Sequence, residues 1–494
     1  MELFGSLKKP DGSLTSNTEI ENSIAIITPG LTLTYKQLNK KISSTVKLLN
    51  KIGLKSRDKA AILGENSSEY VILILSLWKT GAIPIPLNTR LLPDELEELV
   101  LFAGCNFVLT GNLQQGIKSI PGVSIHEFPF KEEKTENISI KKSKTSGLPG
   151  KFQMNNPALI IYTSGSAGKP KGVVISFNNL YYSALNGNIL FKHRNGDRWL
   201  ASLPFYHIGG FSIITRSFFY GAALIIPKTL TMDEIIYAIE NLKPTLASLV
   251  TTQLKRLMEA GYRPPSNLRH ILLGGGFIEA ELVSAAIKQG WNAVKSYGTT
   301  ETASFVTMLS TEEFKTNPLS AGKAIPPNQI LIIDENKNIL PNGKVGEIAI
   351  KAQSVARGYL NNEDGNKKKF AGNIFYSGDS GYLDKDGFLY IEARREDLII
   401  SGGENIIPSE VEAEIINYPG VKEVCVFGKE DEEWGHTVAA AIASAKSITV
   451  EELKKFLVDK LPSFKHPRTV FILDELPKTE LGKIKKGDII NKFK

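Results

Sequence analysis

The chain of 494 residues carries 59 lysines and arginines against 52 aspartates and glutamates, a net charge of +7 that is small for its length. A composition of 42 % hydrophobic and 22 % charged residues is typical of a globular protein and excludes a disordered chain, a collagen and a disulfide scaffold. Cys105 and Cys425, the only two cysteines, cannot build a cysteine-rich zinc site, and their scarcity favours a reducing, cytoplasmic compartment.

Neither a targeting segment nor a membrane span is predicted. The first ten residues lack the apolar run of about 7 to 15 residues that a secretory signal needs. The longest apolar stretch, residues 70–78, is far shorter than the ~20 residues that cross a bilayer. Lysine clusters at 141–144 and 367–369 lie in polar surroundings without interleaved aromatic residues, so solvated loops are predicted there rather than a nucleic-acid surface.

The first hundred residues alternate helical and extended patterns, which is typical of a parallel sheet covered by helices. Thr34 and Gln37 form a capping-box pattern that predicts a helix to about Lys51, and Asn66 with Glu69 predicts the start of a second helix. Strands are predicted at 59–63, 83–87 and 106–110, a helix at 93–104, and a loop or connector at 125–154.

The end of the chain has a different pattern. From about residue 397, helices at 409–417 and 450–461 and strands at 422–427, 437–443 and 469–473 predict a compact α+β unit of about 100 residues. The predicted fold class is therefore α/β, with a large N-terminal domain of helix-covered, mainly parallel sheets over residues 1–395 and a small C-terminal α+β domain over residues 396–494.

A glycine-rich segment follows a strand-like run at 158–162 and reads Thr163-Ser164-Gly165-Ser166-Ala167-Gly168-Lys169-Pro170-Lys171-Gly172. Glycines let backbone N–H groups point inward, hydroxyls add donors and lysines supply charge, which together suit a polyphosphate. The segment is not a P-loop of the nucleoside-triphosphatase kind, because its glycine spacing differs and Pro170 blocks a helix directly after the lysine. A flexible surface linker is the alternative.

Further motifs follow in a fixed order along the chain. They are Tyr297-Gly298-Thr299-Thr300-Glu301-Thr302, Tyr376-Ser377-Gly378-Asp379, Arg394 to Asp397 followed by Ser401-Gly402-Gly403-Glu404-Asn405-Ile406, and Pro477-Lys478-Thr479-Glu480-Leu481-Gly482-Lys483. With the glycine-rich segment they resemble the motifs of the acyl-adenylate-forming superfamily, which includes acyl-CoA synthetases, luciferases and peptide-synthetase adenylation domains. The resemblance covers about residues 35–483. It implies that ATP and Mg²⁺ convert a carboxylic acid into an acyl-AMP, and that the thiol of coenzyme A then displaces AMP.

The resemblance also implies which residues bind the nucleotide. The leaving phosphates would be held by Thr163, Ser164, Gly165, Ser166, Lys169 and Lys171, the adenine by Gly274, Gly275, Gly276 and Tyr297, and the ribose by Asp379 and Arg394. Thr300 would donate to the α-phosphate, and Glu301 would bind magnesium, a hard cation that prefers carboxylate oxygen. Ala167 stands where the family usually has threonine, which removes one hydroxyl contact.

The resemblance implies that two C-terminal motifs occupy the site in turn, one in each half-reaction. Lys483 would assist adenylation, because a long flexible ammonium can reach the charge that develops between carboxylate and α-phosphate. The small domain would then turn about Glu396 and bring in a loop that lines a narrow channel for coenzyme A. That loop comprises Ser401, Gly402, Gly403 and Glu404.

The acyl pocket is predicted around Pro204 to Gly210, with His207 as a catalytic and substrate-contacting residue and Gly276 beside it. Arg216 interrupts an apolar run, and a second substrate carboxylate would satisfy its charge. This pattern most resembles the o-succinylbenzoate–CoA ligases of menaquinone biosynthesis, whose substrate has two carboxylates. Two alternatives remain, a medium-chain or aromatic acyl-CoA synthetase and a free-standing adenylation enzyme, and Arg216 could instead face outward and pair with a surface acid.

Overall fold

The computed structural model describes residues 21–111, 119–128, 153–163, 170–276, 278–393, 399–477 and 484–493. Within these ranges, every helix is too short or too polar to cross a bilayer. The described strands are arranged in five sheets, and helices cover the sheets of the N-terminal part.

The strands, in chain order, are β1 (Ile24–Thr28), β2 (Leu31–Thr34), β3 (Lys59–Leu63), β4 (Ile83–Leu87), β5 (Phe107–Thr110), β6 (Ser124–Glu127), β7 (Pro157–Thr163), β8 (Lys171–Ser176), β9 (Arg198–Leu200), β10 (Ala223–Ile225), β11 (Leu246–Leu249), β12 (His270–Leu273), β13 (Ala293–Thr299), β14 (Ser304–Leu309), β15 (Lys323–Ala324), β16 (Gln329–Ile333), β17 (Gly346–Lys351), β18 (Gly358–Tyr359), β19 (Phe370–Ala371), β20 (Ile374–Leu383), β21 (Leu389–Ala393), β22 (Ile399–Ser401), β23 (Glu404–Ile406), β24 (Val421–Asp431), β25 (Gly435–Ser444) and β26 (Thr469–Leu473).

The α-helices are α1 (Tyr35–Lys51), α2 (Ser68–Thr80), α3 (Pro93–Ala103), α4 (Phe177–Phe191), α5 (Ile208–Tyr220), α6 (Met232–Tyr237), α7 (Thr251–Glu259), α8 (Ala280–Lys288), α9 (Thr311–Phe314), α10 (Glu363–Lys369), α11 (Pro408–Ile415), α12 (Val450–Leu457) and α13 (Lys486–Phe493). A π-helical turn spans Ala238–Leu242, and 3₁₀ turns span Thr300–Thr302 and Ser463–Lys465.

Local hydrogen bonds explain where the first helices begin. Helix α1 has the predicted capping box, with Gln37 N donating to Thr34 Oγ1 at 3.3 Å and Thr34 N to Gln37 Oε1 at 2.8 Å. The prediction that Asn66 opens α2 is wrong, because Ser67 is the N-cap. The Asn66 side chain instead bonds the backbone of Leu203 and Phe205, and so holds the segment that leads to the predicted acyl pocket.

The largest sheet has the strand order β15-β14-β13-β12-β11-β9-β10-β1-β2. Strands β1, β10, β9, β11, β12 and β13 pair in parallel, so their carboxyl ends lie at one edge. The chain leaves β12 into Gly274 and β13 into the Thr300–Thr302 turn. The edge where parallel strands end is the usual ligand-binding edge of such sheets, and it collects two of the predicted motifs.

The remaining N-terminal sheets complete the α/β body. Strands β4-β3-β5-β6 form a parallel sheet, whereas β18-β8-β7 and the sheet of β16, β17, β19, β20 and β21 are antiparallel. Strand β6 lies partly inside the stretch predicted to be a connector, because Ile125 and its neighbours extend the parallel sheet beside β5; that prediction is wrong at its start.

The C-terminal residues form a sheet and a core of their own. Strands β23-β22-β25-β24, with β26 beside β25, pack against helices α11 and α12. Buried side chains such as Val411, Val426 and Leu453 make one hydrophobic cluster there. The α/β body with an added α+β unit confirms the predicted fold class. The boundary between residues 395 and 396 stays a prediction, since residues 394–398 lie outside the described ranges.

Candidate active site

A cavity of about 620 Å³ lies at the carboxyl edge of the large sheet and is walled on one side by the C-terminal hairpin of β22 and β23. It is lined by these predicted residues: Thr163, Lys171, His207, Arg216, Gly274, Gly275, Gly276, Tyr297, Thr300, Glu301, Asp379, Gly402, Gly403 and Glu404. Ser401 is buried behind this wall and pairs with Glu404 across the hairpin. Ser164, Gly165, Ser166, Lys169, Arg394, Glu396 and Lys483 lie outside the described residues.

One end of the cavity is suited to an adenosine. The Tyr297 hydroxyl donates to Asp379 Oδ2 at 2.6 Å, and the backbone N–H of Asp379 donates to Ser377 Oγ at 3.0 Å. A carboxylate fixed in this way can accept hydrogen bonds from a diol. The Gly274–Gly276 loop also lines the cavity, and Gly275 has φ of +85°, a conformation that favours glycine.

Glu301 lines the cavity and is held in place by hydrogen bonds. It is only 4 % exposed, which excludes a surface salt bridge. Tyr359 donates from its hydroxyl to Glu301 Oε1 at 2.7 Å, and Ala356 N donates to the backbone carbonyl of Glu301 at 2.7 Å. In the described part of the chain, no group of three or more histidine, cysteine or acidic side chains forms a metal cage. A single carboxylate suits Mg²⁺ that arrives with phosphate oxygens, because this ion commonly takes one or two carboxylates beside substrate phosphates.

Arg216, on α5, also lines the cavity. Its side chain is 1 % exposed, and its Nε and Nη1 atoms have no hydrogen-bond partner among the described residues. The guanidinium lies over the rings of Trp199 and Phe305, at 4.8 and 5.2 Å from their centroids. Burial lowers the pKa of Arg216 to about 9, so the group remains a cation at neutral pH. The alternative of an outward-facing Arg216 is therefore wrong.

Glu404 joins the C-terminal hairpin to the N-terminal wall of the cavity. Its Oε2 lies 3.3 Å from His207 Nε2 and accepts from Asn88 Nδ2 at 3.1 Å. Its Oε1 accepts from Arg90 Nη1 and the Tyr206 hydroxyl, both at 3.4 Å. Burial opposes ionisation of Glu404, but the contacts with His207, Arg90 and Tyr206 outweigh it and hold its pKa below the ordinary value. The carboxylate is therefore charged at neutral pH and secures the hairpin.

A second cavity of about 280 Å³ adjoins the first along the Gly274–Gly276 loop and Gly403. Its far wall includes Trp434 and His436 from the C-terminal unit. Gly402 has φ of +56°, and a Cβ there would come within 2.5 Å of the Trp434 ring, so this close approach requires glycine. The two cavities therefore share one stretch of wall beside the hairpin.

The sequence patterns did not predict the contacts of some residues at the site. Asn88 and Arg90 follow the buried strand β4, and a polar pair at the end of a parallel strand is a signal that could have indicated them. Tyr206 stood inside the predicted acyl segment without an assigned role. Tyr359 gave no usable signal, because its place beside Glu301 depends on the pairing of β18 with β8.

Comparison with known proteins agrees with this architecture. The family model "AMP-binding enzyme" matches residues 16–360, and "AMP-binding enzyme C-terminal domain" matches residues 410–483. A 2-succinylbenzoate–CoA ligase from Bacillus cytotoxicus is 35 % identical over 468 residues, which cover 94 % of this chain and 95 % of the relative.

Solved structures of o-succinylbenzoate CoA synthetase from Bacillus subtilis are also similar. A double mutant of that enzyme with its product analogue OSB-NCoA superimposes with a TM-score of 0.86 at 32 % identity, covering 95 % of this chain and 96 % of that one. The same enzyme with the acyl-adenylate OSB-AMP gives 0.71 at 32 % identity and 95 % of both chains, and with ATP and magnesium ion 0.70 at 32 % identity and 96 % of both chains. The present chain belongs to the AMP-binding enzyme family and is an AMP-forming ligase.

Proposed function

We propose that this protein is a 2-succinylbenzoate–CoA ligase of menaquinone biosynthesis, which uses ATP to join an aromatic keto acid with two carboxylates to coenzyme A. The observation that carries the substrate assignment is the state of Arg216, a buried cation in the cavity wall, two of whose nitrogens have no hydrogen-bond partner among the described residues. A carboxylate is the natural partner for such a group, since an unpaired buried charge is costly. The relatives from the two Bacillus species are named for this acid, which supports the assignment.

In the first half-reaction, one carboxylate of the acid attacks the α-phosphorus of ATP. An oxygen–phosphorus bond forms, the bond to the bridging oxygen of the β-phosphate breaks, and pyrophosphate leaves with the electron pair. Charge accumulates on oxygen atoms, so fixed donors and cations are the catalysts that this step needs. Thr300 would donate to the α-phosphate, while Lys171 and Thr163 would hold the leaving phosphates.

Residues outside the described ranges are proposed to complete this step. Ser164, Gly165, Ser166 and Lys169 would continue the phosphate cradle between Thr163 and Lys171. Arg394 would join Asp379 at the ribose, and Lys483 would stabilise the charge between the attacking carboxylate and the α-phosphate. These roles rest on the family motifs in which the residues stand.

Bound magnesium would offset negative charge on the phosphates, and Glu301 would be its protein ligand. The buried position of this carboxylate and its hydrogen bond from Tyr359 fit that role. At the adenosine end, the Gly274–Gly276 loop and Tyr297 would enclose the base, and Asp379 would accept from the ribose hydroxyls.

At the acyl end, the second carboxylate of the substrate would pair with Arg216. His207 and Gly276 would border the reacting carbonyl between that end and the nucleotide. Apolar side chains of the wall, including Ile208, Leu249 and Phe305, suit the aromatic ring of the acid.

In the second half-reaction, the thiol sulfur of coenzyme A attacks the acyl carbonyl, AMP leaves with the bonding electron pair, and the thiol proton is lost. The thiol would enter along the second cavity, past Gly402 and Gly403. Ser401 and Glu404 would keep this channel in place through the hairpin and its contact with His207.

The contacts of the β22–β23 hairpin support the proposal that the structure represents the thioester-forming arrangement. Glu404 reaches four side chains of the N-terminal wall, and the higher TM-score is the one with the product-analogue complex, at the same identity as the adenylate complex. We propose that Glu396 is the hinge between domains 1–395 and 396–494, and that rotation there exchanges the hairpin for Lys483. The reaction is assigned to the cytoplasm, where ATP and coenzyme A are available.

Pyrophosphate release across a panel of carboxylic acids, with and without coenzyme A, tests this function. We expect release with 2-succinylbenzoate and thioester formation when coenzyme A is added. Strong release with octanoate or benzoate but none with 2-succinylbenzoate would indicate a medium-chain or aromatic acyl-CoA synthetase. Transfer to a carrier protein but not to free coenzyme A would indicate a free-standing adenylation enzyme.

A further inference from the structure

We infer that Tyr359 is a positioning residue that holds Glu301 for the metal ion of the ATP complex. The inference rests on the proposed function of Glu301. The Tyr359 hydroxyl and Glu301 Oε1 are 2.7 Å apart, and both residues are buried, with exposures of 3 % and 4 %. In such surroundings a hydrogen bond to a carboxylate is strong and fixes its orientation.

The segment that contains Tyr359 holds Glu301 by two hydrogen bonds. Besides the side-chain contact, Ala356 N donates to the Glu301 backbone carbonyl at 2.7 Å. One contact holds the main chain of the 3₁₀ turn and the other holds the carboxylate. Glu301 is therefore restricted in both position and rotation before any ligand arrives.

Tyr359 is itself fixed at its main chain and its ring. Asn366 bridges its backbone, accepting from Tyr359 N at 2.6 Å and donating to Tyr359 O at 2.9 Å. The ring meets Phe370 edge-on at a centroid distance of 5.2 Å. A side chain held in this way can transmit its position to the carboxylate, as the outer partners of metal ligands commonly do.

The same tyrosine also adjoins the phosphate-binding segment. Strand β18 pairs with β8, with Tyr359 opposite Val173, and Lys171 Nζ lies 5.3 Å from the centre of the Tyr359 ring. Tyr359 thus bonds the proposed metal ligand and lies within cation–π distance of a proposed phosphate-binding lysine. We infer that it sets the distance between these two groups, which must contact the same triphosphate.

The variant Tyr359→Phe tests this role, because it removes the hydroxyl and keeps the ring with its contacts to Phe370 and Lys171. Calorimetric titration with ATP, in magnesium and in excess chelator, separates the metal-dependent affinity from the affinity for the nucleotide alone. We expect Tyr359→Phe to weaken ATP binding about 10-fold in magnesium, the lower end of the range for outer partners of metal ligands, and to leave binding in chelator unchanged. Raising the magnesium concentration is expected to restore the affinity.

Tyr382→Phe is the matched control, since Tyr382 stacks on Tyr390 and does not line the cavity. It is expected to bind ATP like the wild type in both conditions. Unchanged binding by Tyr359→Phe in magnesium would overturn the inference, and so would an equal loss with and without the metal. Because no acid is present in these titrations, a failure of 2-succinylbenzoate as substrate would leave this result interpretable.

Discussion

At the scale of single residues, Arg216 combines two opposed effects. Its guanidinium is buried over Trp199 and Phe305, and two of its nitrogens lack hydrogen-bond partners among the residues described. Such a group costs folding free energy, yet it gives a carboxylate-bearing ligand a strong anchor. Gly187 makes room for it, since a Cβ at that position would come within 2.9 Å of Arg216 Cδ. On the proposed function, Arg216 serves ligand binding at a cost in stability.

The kinetic consequence of this anchor is measurable with Arg216→Met. For 2-succinylbenzoate, kcat/KM is expected to fall about 10- to 100-fold, which corresponds to losing a charged hydrogen bond of about 1.5–3 kcal/mol. The matched monoacid, 4-oxo-4-phenylbutanoate, lacks only the ring carboxylate and should react almost equally with variant and wild type. A similar loss for both acids would show that Arg216 acts through packing.

The same substitution that lowers kcat/KM is expected to increase the stability of the folded protein. Burial lowers the pKa of Arg216 to about 9 from its usual value, so the folded state disfavours the cation that the unfolded chain carries at neutral pH. Arg216→Met removes that cost and is expected to raise the melting temperature of the ligand-free protein at pH 7, measured by calorimetry. A lower melting temperature would mean that the two aromatic contacts outweigh the desolvation of the charge.

At the scale of elements, the hairpin of β22 and β23 brings the C-terminal unit to the site. Glu404 at its turn contacts Asn88, Arg90, Tyr206 and His207. Elsewhere on this interface, Arg256 donates to the carbonyl of Glu433 at 2.8 Å. The contacts of the Glu404 carboxylate, which is 5 % exposed, are expected to contribute more than the exposed pair of Arg256 and Glu433, because solvent screens exposed charges.

Glu404→Gln separates the two half-reactions on this account. It keeps the shape of the side chain but removes its charge, so docking of the hairpin is weakened. Thioester formation from supplied acyl-AMP is expected to slow about 10-fold, consistent with about 1.4 kcal/mol, while pyrophosphate release stays near the wild-type rate. Glu433→Gln, whose glutamate side chain is 63 % exposed, is the control and should change neither rate. Equal losses in both half-reactions for Glu404→Gln would contradict this role of the hairpin.

Sequence patterns predicted some of these features and missed others. The difference depends on how far apart along the chain the contacting residues lie. The capping box at Thr34 depends on residues three positions apart, so it could be recognised directly. Asn66 carried the same kind of signal but bonds a segment more than 130 residues away. Tyr359 and Glu301 are 58 residues apart and meet only through sheet pairing, which no motif records. Motifs indicated residues that line the cavity, whereas the contacts that hold those residues depend on the fold.

At the scale of the whole molecule, the cavity proposed as the active site is lined by both the N-terminal body and the C-terminal residues. The N-terminal body supplies Glu301, Asp379 and Arg216, and the C-terminal unit supplies Glu404 in the docked arrangement. The buried core of the C-terminal unit is its own, so it can move without loss of packing inside it. This organisation supports the proposal that one cavity carries out two successive reactions with different C-terminal residues.

The most direct test of the central claim is mass spectrometry of a single turnover without coenzyme A. Purified protein mixed with 2-succinylbenzoate, ATP and magnesium is expected to accumulate the mixed anhydride of the acid with AMP, one equivalent per site. Adding coenzyme A should then convert it to the thioester and free AMP. Absence of any acyl-adenylate, with this acid or any other in the panel, would contradict the account.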